Sequence, residues 1–412
     1  MGPRVVITGI GMVTPVGLDA ASTWSALLAG QSGLAPITLF DASRISCGIA
    51  AEVKGFDGEA VVGKREARKM DRCGLMTVQA AREAWTASGA EVDDPTRVGV
   101  VIGSCVGGFA MLEAGARQLE ARGPDRISPH LIGAMLVDTP TSYVATDLGI
   151  RGPNFAVVSA CATGAHAIGE AAEMVRRGDA DRILAGGVEA CITELILGGF
   201  CNMRALGSPR DPDDPASASR PFDATRDGFI VGEGAAVVVL EREDDARARG
   251  APIVAELVGY GASNDAFHIA HPHPEGIGVV EMMRGALART GVQPEEIGYI
   301  NPHGTSTPLN DSAETAAIRT VFGAHADRLA VSSTKSMTGH LFGGAGALET
   351  VVCALAVRDG IVPPTINLQE RDPACDLDYV AEGARRLPDL RYAISNSMGL
   401  GGHNGCTLLA RV

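Results

Sequence analysis

Aromatic side chains are scarce in this sequence, with 2 Trp, 5 Tyr and 10 Phe among 412 residues, while Gly is abundant at 52. A core of that composition is built from small aliphatic side chains, which suits an α/β protein with tight turns and closely packed helices. A basic surplus is missing as well: the formal net charge is −14. That excludes the dominant positive surface of a nucleic-acid binder. No apolar run approaches the roughly 20 residues that span a bilayer, so no membrane segment is expected. The first residues, Met1-Gly-Pro-Arg-Val-Val-Ile-Thr8, read as the entry to a strand rather than as a secretory leader. The 9 cysteines are odd in number and contain no C-x-x-C pair. They read as reduced thiols of a cytoplasmic protein, most of them in the core.

What is present is an alternation of apolar strand-like runs with amphipathic helical stretches. Strands are expected at Arg4–Gly9, Val98–Gly103, Asn154–Ser159, Arg182–Gly187, Ala235–Glu241, Tyr299–Pro302, Leu329–Ser332 and Tyr392–Asn396. Helices are expected at Ala20–Ala29, Lys69–Ser88, Ala165–Arg177, Gly278–Thr290, Ser312–Phe322 and Gly344–Arg358. An internal echo accompanies the alternation. Ala156-Val-Val-Ser159 leads through Thr163-Gly164 to a helix ending Val175-Arg-Arg-Gly178. Ala330-Val-Ser-Ser333 leads through Thr338-Gly339 to one ending Val357-Arg-Asp-Gly360. Two similar halves, 1–250 and 251–412, are therefore expected, with their strand–turn–helix sites meeting centrally.

Four segments carry the chemistry. Cys161 follows the strand-like Phe155-Ala-Val-Val-Ser159 and opens the small-residue stretch Ala160-Cys-Ala-Thr-Gly-Ala-His166. A thiol at a strand-to-helix turn is lifted clear of the sheet, and the helix start is expected to favour its thiolate near neutral pH. A plain core cysteine is the alternative. His303 lies in Asn301-Pro-His-Gly-Thr-Ser-Thr-Pro-Leu-Asn-Asp311, either as a reactive imidazole or as a satisfied structural one. Lys335 stands five residues before His340, with Glu349 on the helix beyond, a set able to hold one imidazole tautomer. Asn396-Ser-Met-Gly-Leu-Gly-Gly-His-Asn-Gly405 has enough glycine for backbone N–H groups to approach a ligand closely.

The segments SACATGAHA, NPHGTSTPLND, STKSMTGHLFGGAGALE and NSMGLGGHNG closely resemble the β-ketoacyl-[acyl carrier protein] synthases, particularly the synthase II type. The resemblance runs from VVITGIGMVTPVG through SRPFDATRDGFIVGEGA to the C-terminus. It implies the thiolase fold, five layers α-β-α-β-α from two similar halves, and usually a homodimer. It implies decarboxylative condensation with an acyl chain held on Cys161. His303 and His340 would supply Nε2–H donors to the malonyl enolate, and one of them would activate the water that takes up CO2. Lys335 would orient His340, and Glu349 would support it. The N–H groups of Cys161 and Leu400 would form an oxyanion hole. Thr305 and Thr307 would hold the pantetheine arm, and Met398, Leu400 and Phe200 would line the substrate path. No cofactor beyond the carrier's phosphopantetheine is implied, and no metal.

An acidic acyl carrier protein as partner calls for a basic patch, and Lys64, Arg65, Arg68 and Lys69, with Arg72 close by, form the densest basic run. Arg126 and Arg204 match further docking positions, with Asp125 where the family often has a base. Both histidines in the second half separate this chain from priming synthases (Cys-His-Asn) and from thiolases, which carry a second cysteine. An intact Cys161 argues against a non-catalytic subunit. A ketosynthase of a specialised polyketide pathway, paired with a chain-length factor, is the alternative. Gly107, Gly108, Phe109 and Leu197-Gly-Gly-Phe200 are expected to set acyl-chain depth. Three departures stand out. Met398 and Leu400 replace the two phenylalanines usual in the gating loop, and Pro302 replaces a common Ala. His268, His271 and His273 crowd one loop and read as an entrance segment rather than a metal cluster.

Overall fold

The computed structural model describes residues 2–412. Its ten main strands are β1 (Val5–Val13), β2 (Val98–Gly103), β3 (Asn154–Phe155), β4 (Arg182–Glu189), β5 (Gly234–Arg242), β6 (Ala255–Asn264), β7 (Ile297–Asn301), β8 (Ala330–Val331), β9 (Tyr392–Gly399) and β10 (His403–Ala410). Six helices pack on them: α1 (Arg72–Ser88), α2 (Thr139–Leu148), α3 (Thr163–Arg177), α4 (Ile277–Ala288), α5 (Pro308–Phe322) and α6 (Ala345–Asp359). The strand order is β8-β7-β9-β10-β6-β1-β5-β4-β2-β3. Read from either outer edge, the order within each set of five is third, second, fourth, fifth, first. Directions repeat too. β2 runs parallel to β3 and β4 while β5 runs antiparallel to β4 and β1. β7 runs parallel to β8 and β9 while β10 runs antiparallel to β9 and β6. Among the described residues, only the strand pairs Val6–Glu256 and Ile7–Ala255 join the two sets.

α3 and α6 lie against each other and touch both five-stranded sets, α1 and α2 cover the first set, and α4 and α5 flank the second. The result is five layers, α-β-α-β-α. The sequence of α6 dictates its central position. Every residue from Ala345 to Val357 is buried, and a helix apolar nearly all round, with only Glu349 and Thr350 polar in that run, sits in the interior. Glycines let the two central helices touch. A Cβ on Gly164 would lie 2.5 Å from Ala347 N, and one on Gly346 would lie 2.7 Å from Ala165 N.

Several elements differ from the sequence-based expectation. β6 and β10 were not anticipated because their glycines resemble turn residues. Gly261 is needed because a Cβ there would meet Met282 O of α4 at 2.0 Å, so it marks a helix crossing over a strand. α2 was also missed. The helix expected from Lys69 begins at Arg72 instead, capped by Asp71, and Lys64–Ala67 forms a separate short helix after Gly63 at φ +83°. The expected strand Asn154–Ser159 keeps only two residues in the ladder, since the chain leaves the sheet edge to reach the Cys161 turn.

Candidate active site

Ala160 turns the chain at φ +50°, a left-handed conformation that is costly for a non-glycine residue. Ser159 and Cys161 form an isolated bridge, and α3 begins at Thr163. The strand-to-helix junction expected for Cys161 is therefore present in compressed form. The turn between β9 and β10 presses on it: a Cβ on Gly399 would lie 2.7 Å from Ser159 O and 3.0 Å from Cys161 N. Burial works against the low thiol pKa expected from the helix start. Burial pushes the Cys161 thiol up to about 12, opposed by the Lys335 charge and the Leu400 N–H and reinforced by Glu189 and Glu349.

His303 and His340 stand edge to face with ring centroids 5.3 Å apart. Both pKa values lie well below the ordinary histidine value, first because the rings are buried and then because Lys335 repels their charged forms. Both are neutral at pH 7, and neither Nδ1 has a hydrogen-bond partner among the described residues. The backbone of His303 is gripped from both sides. Its N–H donates to Glu314 Oε1 at 2.8 Å, Gly304 N donates to Oε2 at 2.9 Å, and its carbonyl accepts from Lys335 Nζ at 2.6 Å. Lys335 also pairs with Glu349 and makes no hydrogen bond to the His340 ring, so its contact is to His303 rather than to the histidine expected. His340 is held instead through its own backbone, with His340 N to Ile230 O at 2.7 Å and Gly232 N to His340 O at 2.9 Å. Burial raises Glu349 and Glu314 alike to about 7.

Sequence reasoning missed Glu314, which lies on the buried face of α5. Its signal was an acidic residue in register with the apolar Ala317 and Ile318. It also missed Phe229 and Phe342. Their rings lie 5.5 and 4.8 Å from the His340 ring, and Phe200 stacks on Phe342 at 5.3 Å. The chain has few phenylalanines and gathers three of them here. Phe342 takes φ +42°, a left-handed conformation that is costly for a non-glycine residue.

A cavity of about 410 Å³ connects these groups. Cys161, His303 and His340 reach it, as do Phe200, Thr305, Thr307, Met398 and Leu400. Thr305 and Thr307 share a hydroxyl contact of 3.0 Å. Met398 is buried while Leu400 is 42% exposed at the mouth. The Leu400 turn is tied to the loop after β6. Gly401 N donates to Ile269 O at 2.8 Å and Asp265 N to Gly402 O at 2.9 Å, and Asn404 Nδ2 reaches Asp265 Oδ1 at 2.8 Å.

Residues 3–246 match the family model of the beta-ketoacyl synthase N-terminal domain, and residues 254–369 that of its C-terminal domain. The chain belongs to the β-ketoacyl synthase family. It is 48% identical over 411 residues to 3-oxoacyl-[acyl-carrier-protein] synthase 2 of Coxiella burnetii (strain RSA 493 / Nine Mile phase I), covering 99% of each chain. Among solved structures it matches the ishigamide ketosynthase/chain length factor with a TM-score of 0.93 and 35% identity, covering 100% of both chains. It also matches a type II polyketide ketosynthase in complex with its acyl-carrier protein, with a TM-score of 0.92 and 31% identity over 100% of both chains. The fold of this β-ketoacyl synthase is thus the thiolase fold, and the protein is an acyltransferase.

On the outside of this β-ketoacyl synthase, Lys64, Arg65 and Arg68 are exposed, whereas Lys69 pairs with Glu66 at 2.7 Å. Arg72 turns inward to the buried Glu233 at 2.7 Å and belongs to the scaffold rather than to the basic face. Arg126 is exposed, and Arg204, at φ +54°, stands at the cavity mouth. The His268 and His271 rings stack at 4.6 Å beside the mouth, while His273 packs on Phe267 at 5.1 Å. No helix among the described residues is long and apolar enough to cross a membrane.

Proposed function

We propose that this enzyme lengthens an acyl chain by two carbons in fatty acid elongation, with Cys161 as acyl acceptor and malonyl-[acyl carrier protein] as extender. The thiolate of Cys161 attacks the acyl thioester, the bond from the carbonyl carbon to the carrier's sulfur breaks, and the carrier leaves as a thiolate that takes its proton from water. The malonyl carboxylate then departs as CO2, and its bonding electron pair remains on the α-carbon as an enolate. Nε2–H donors of His303 and His340 hold the enolate oxygen. That carbon attacks the acyl carbonyl on Cys161, the C–S bond breaks, and 3-oxoacyl-[acyl carrier protein] is released as the thiolate is restored. The N–H groups of Cys161 and Leu400 are the natural oxyanion hole for both attacks on sulfur-bound carbonyls. Lys335 and Glu314 act through the backbone of His303, and Glu349 through Lys335. Thr305 and Thr307 are assigned to the pantetheine arm, and Phe200, Met398 and Leu400 to the substrate path.

The observation that carries this reading is the pairing of two neutral imidazoles 5.3 Å apart on one cavity with a single thiol. A neutral ring keeps one N–H and can donate it to a forming negative charge without first gaining a proton. His303→Ala and His340→Ala are expected to lower malonyl decarboxylation about 10²–10³-fold while acyl loading of Cys161 survives. Undiminished decarboxylation in both variants would contradict the assignment.

A second reading, a polyketide ketosynthase working with a chain-length factor, has the structural match to such an assembly in its favour. The higher identity to synthase 2 than to that assembly, 48% against 35%, favours elongation of fatty acids. Acyl carrier protein is the partner we assign, with Lys64, Arg65, Arg68, Lys69, Arg126 and Arg204 on its docking face and Lys69 weakened by Glu66. The exposed edge strand β3 and the segment after it, with Phe155 and Val158 open to solvent, support a homodimer. We place the enzyme in the cytoplasm and divide it near Gly250, between the end of β5 and the start of β6.

A further inference from the structure

Glu189 ends β4 with none of its surface exposed. Its carboxylate accepts four hydrogen bonds from neutral donors: Ser104 Oγ at 2.7 Å, Cys105 N at 2.8 Å, Gly343 N at 3.1 Å and Val106 N at 3.3 Å. Burial opposes its ionised form, so four converging donors are what hold a carboxylate here. The arrangement has a counterpart in the other half. Glu314 accepts from two successive N–H groups just after β7, and Glu189 accepts from two successive N–H groups just after β2. The strands β2 and β7 hold the same place in their halves. Glu314 fixes the loop that carries His303.

Glu189 fixes something different. Cys105 and Val106 pack in the apolar cluster that contains Cys161, Cys191, Ile192 and Phe342. The fourth donor, Gly343 N, directly follows Phe342, whose strained backbone keeps its ring 4.8 Å from His340. One carboxylate thus ties together two pieces of the apolar packing around the thiol, one from each half of the chain.

We propose that Glu189 is a positioning residue that determines which acyl chains Cys161 accepts, by fixing the Cys105–Val106 wall against Phe342. The inference rests on the reading of Cys161 as acyl acceptor. Gln cannot replace Glu here without loss. Its amide nitrogen would face N–H donors, so some of the four bonds must break and the wall must relax. His303 and His340 are held by other groups, so their work on the malonyl unit should survive.

The test is Glu189→Gln in the full-length enzyme, with acyl loading of Cys161 followed by mass spectrometry across short, medium and long saturated acyl carriers. Malonyl decarboxylation is measured in parallel. The expected result is a change of about tenfold in the long-to-short loading ratio, with decarboxylation within about threefold of the parent. Ser104→Ala, which removes a single bond to Glu189, should shift the ratio in the same direction by about threefold. It decides the matter if Glu189→Gln does not fold. An unchanged ratio in the folded variants overturns the proposal. So does an equal fall at every chain length together with decarboxylation, which would mark a merely structural carboxylate. If the parent enzyme loads no acyl group on Cys161, the underlying reading fails first, and this inference with it.

Discussion

At the scale of single residues, Cys161 exposes 6% of its surface, and at that burial a thiolate loses most of its hydration. The residue type and its place at a turn were legible in the sequence, but the electrostatic balance was not. It depends on Lys335 and Glu349, which come from the other half of the chain, and on how completely the site closes. With the thiol pushed up to about 12, the thiolate fraction rises with pH throughout the working range. Alkylation of Cys161 by iodoacetamide is therefore expected to accelerate about tenfold per pH unit through neutral and mildly alkaline conditions, with no plateau. A rate that levels off near pH 7 would mean that the helix start governs the thiol after all. His303 was equally legible as a residue, yet its support was not. Glu314 and Lys335 grip its peptide groups rather than its ring, and nothing in a linear motif distinguishes those contacts.

At the scale of elements, the central helix α6 and the strands β2 and β4 were readable because continuous apolar runs admit few placements. β6 and β10 were not, since glycine in a strand looks like a turn until the helix crossing it is seen. The turn joining β9 to β10, at the mouth of the cavity, is the element to which we assign admission of the substrate. It carries Leu400 where the family usually has phenylalanine, and it is hydrogen-bonded to the His268–His271 loop rather than free. A smaller side chain at the mouth leaves a wider passage. Leu400→Phe is expected to narrow the range of acyl chains loaded, read as a drop in the longest or bulkiest members of an acyl-carrier panel. An unchanged profile would show that the gate residue does not set tolerance.

At the scale of the whole molecule, the repeat of five strands and three helices explains why a thiol from the first half and two imidazoles from the second share one cavity. α3 and α6 start at equivalent places in the two halves and meet at the centre, and glycines at Gly164 and Gly346 allow the contact. The echo in the sequence pointed to this meeting, although two residue pairs joining the sheets could not be foreseen. Of the two edge strands, β8 is buried and β3 is exposed. A homodimer formed there predicts a particle of two 42.4 kDa chains in sedimentation, and Phe155→Asp should shift it toward the single chain. An unaltered dimer in that variant would move the interface elsewhere. The central claim remains the covalent one, and intact-protein and peptide mass spectrometry tests it most directly. After incubation with an acyl carrier, one acyl mass should sit on the peptide containing Cys161, and malonyl carrier should discharge it as a chain two carbons longer. An acyl mass on another residue, or normal condensation by Cys161→Ala, would contradict the account.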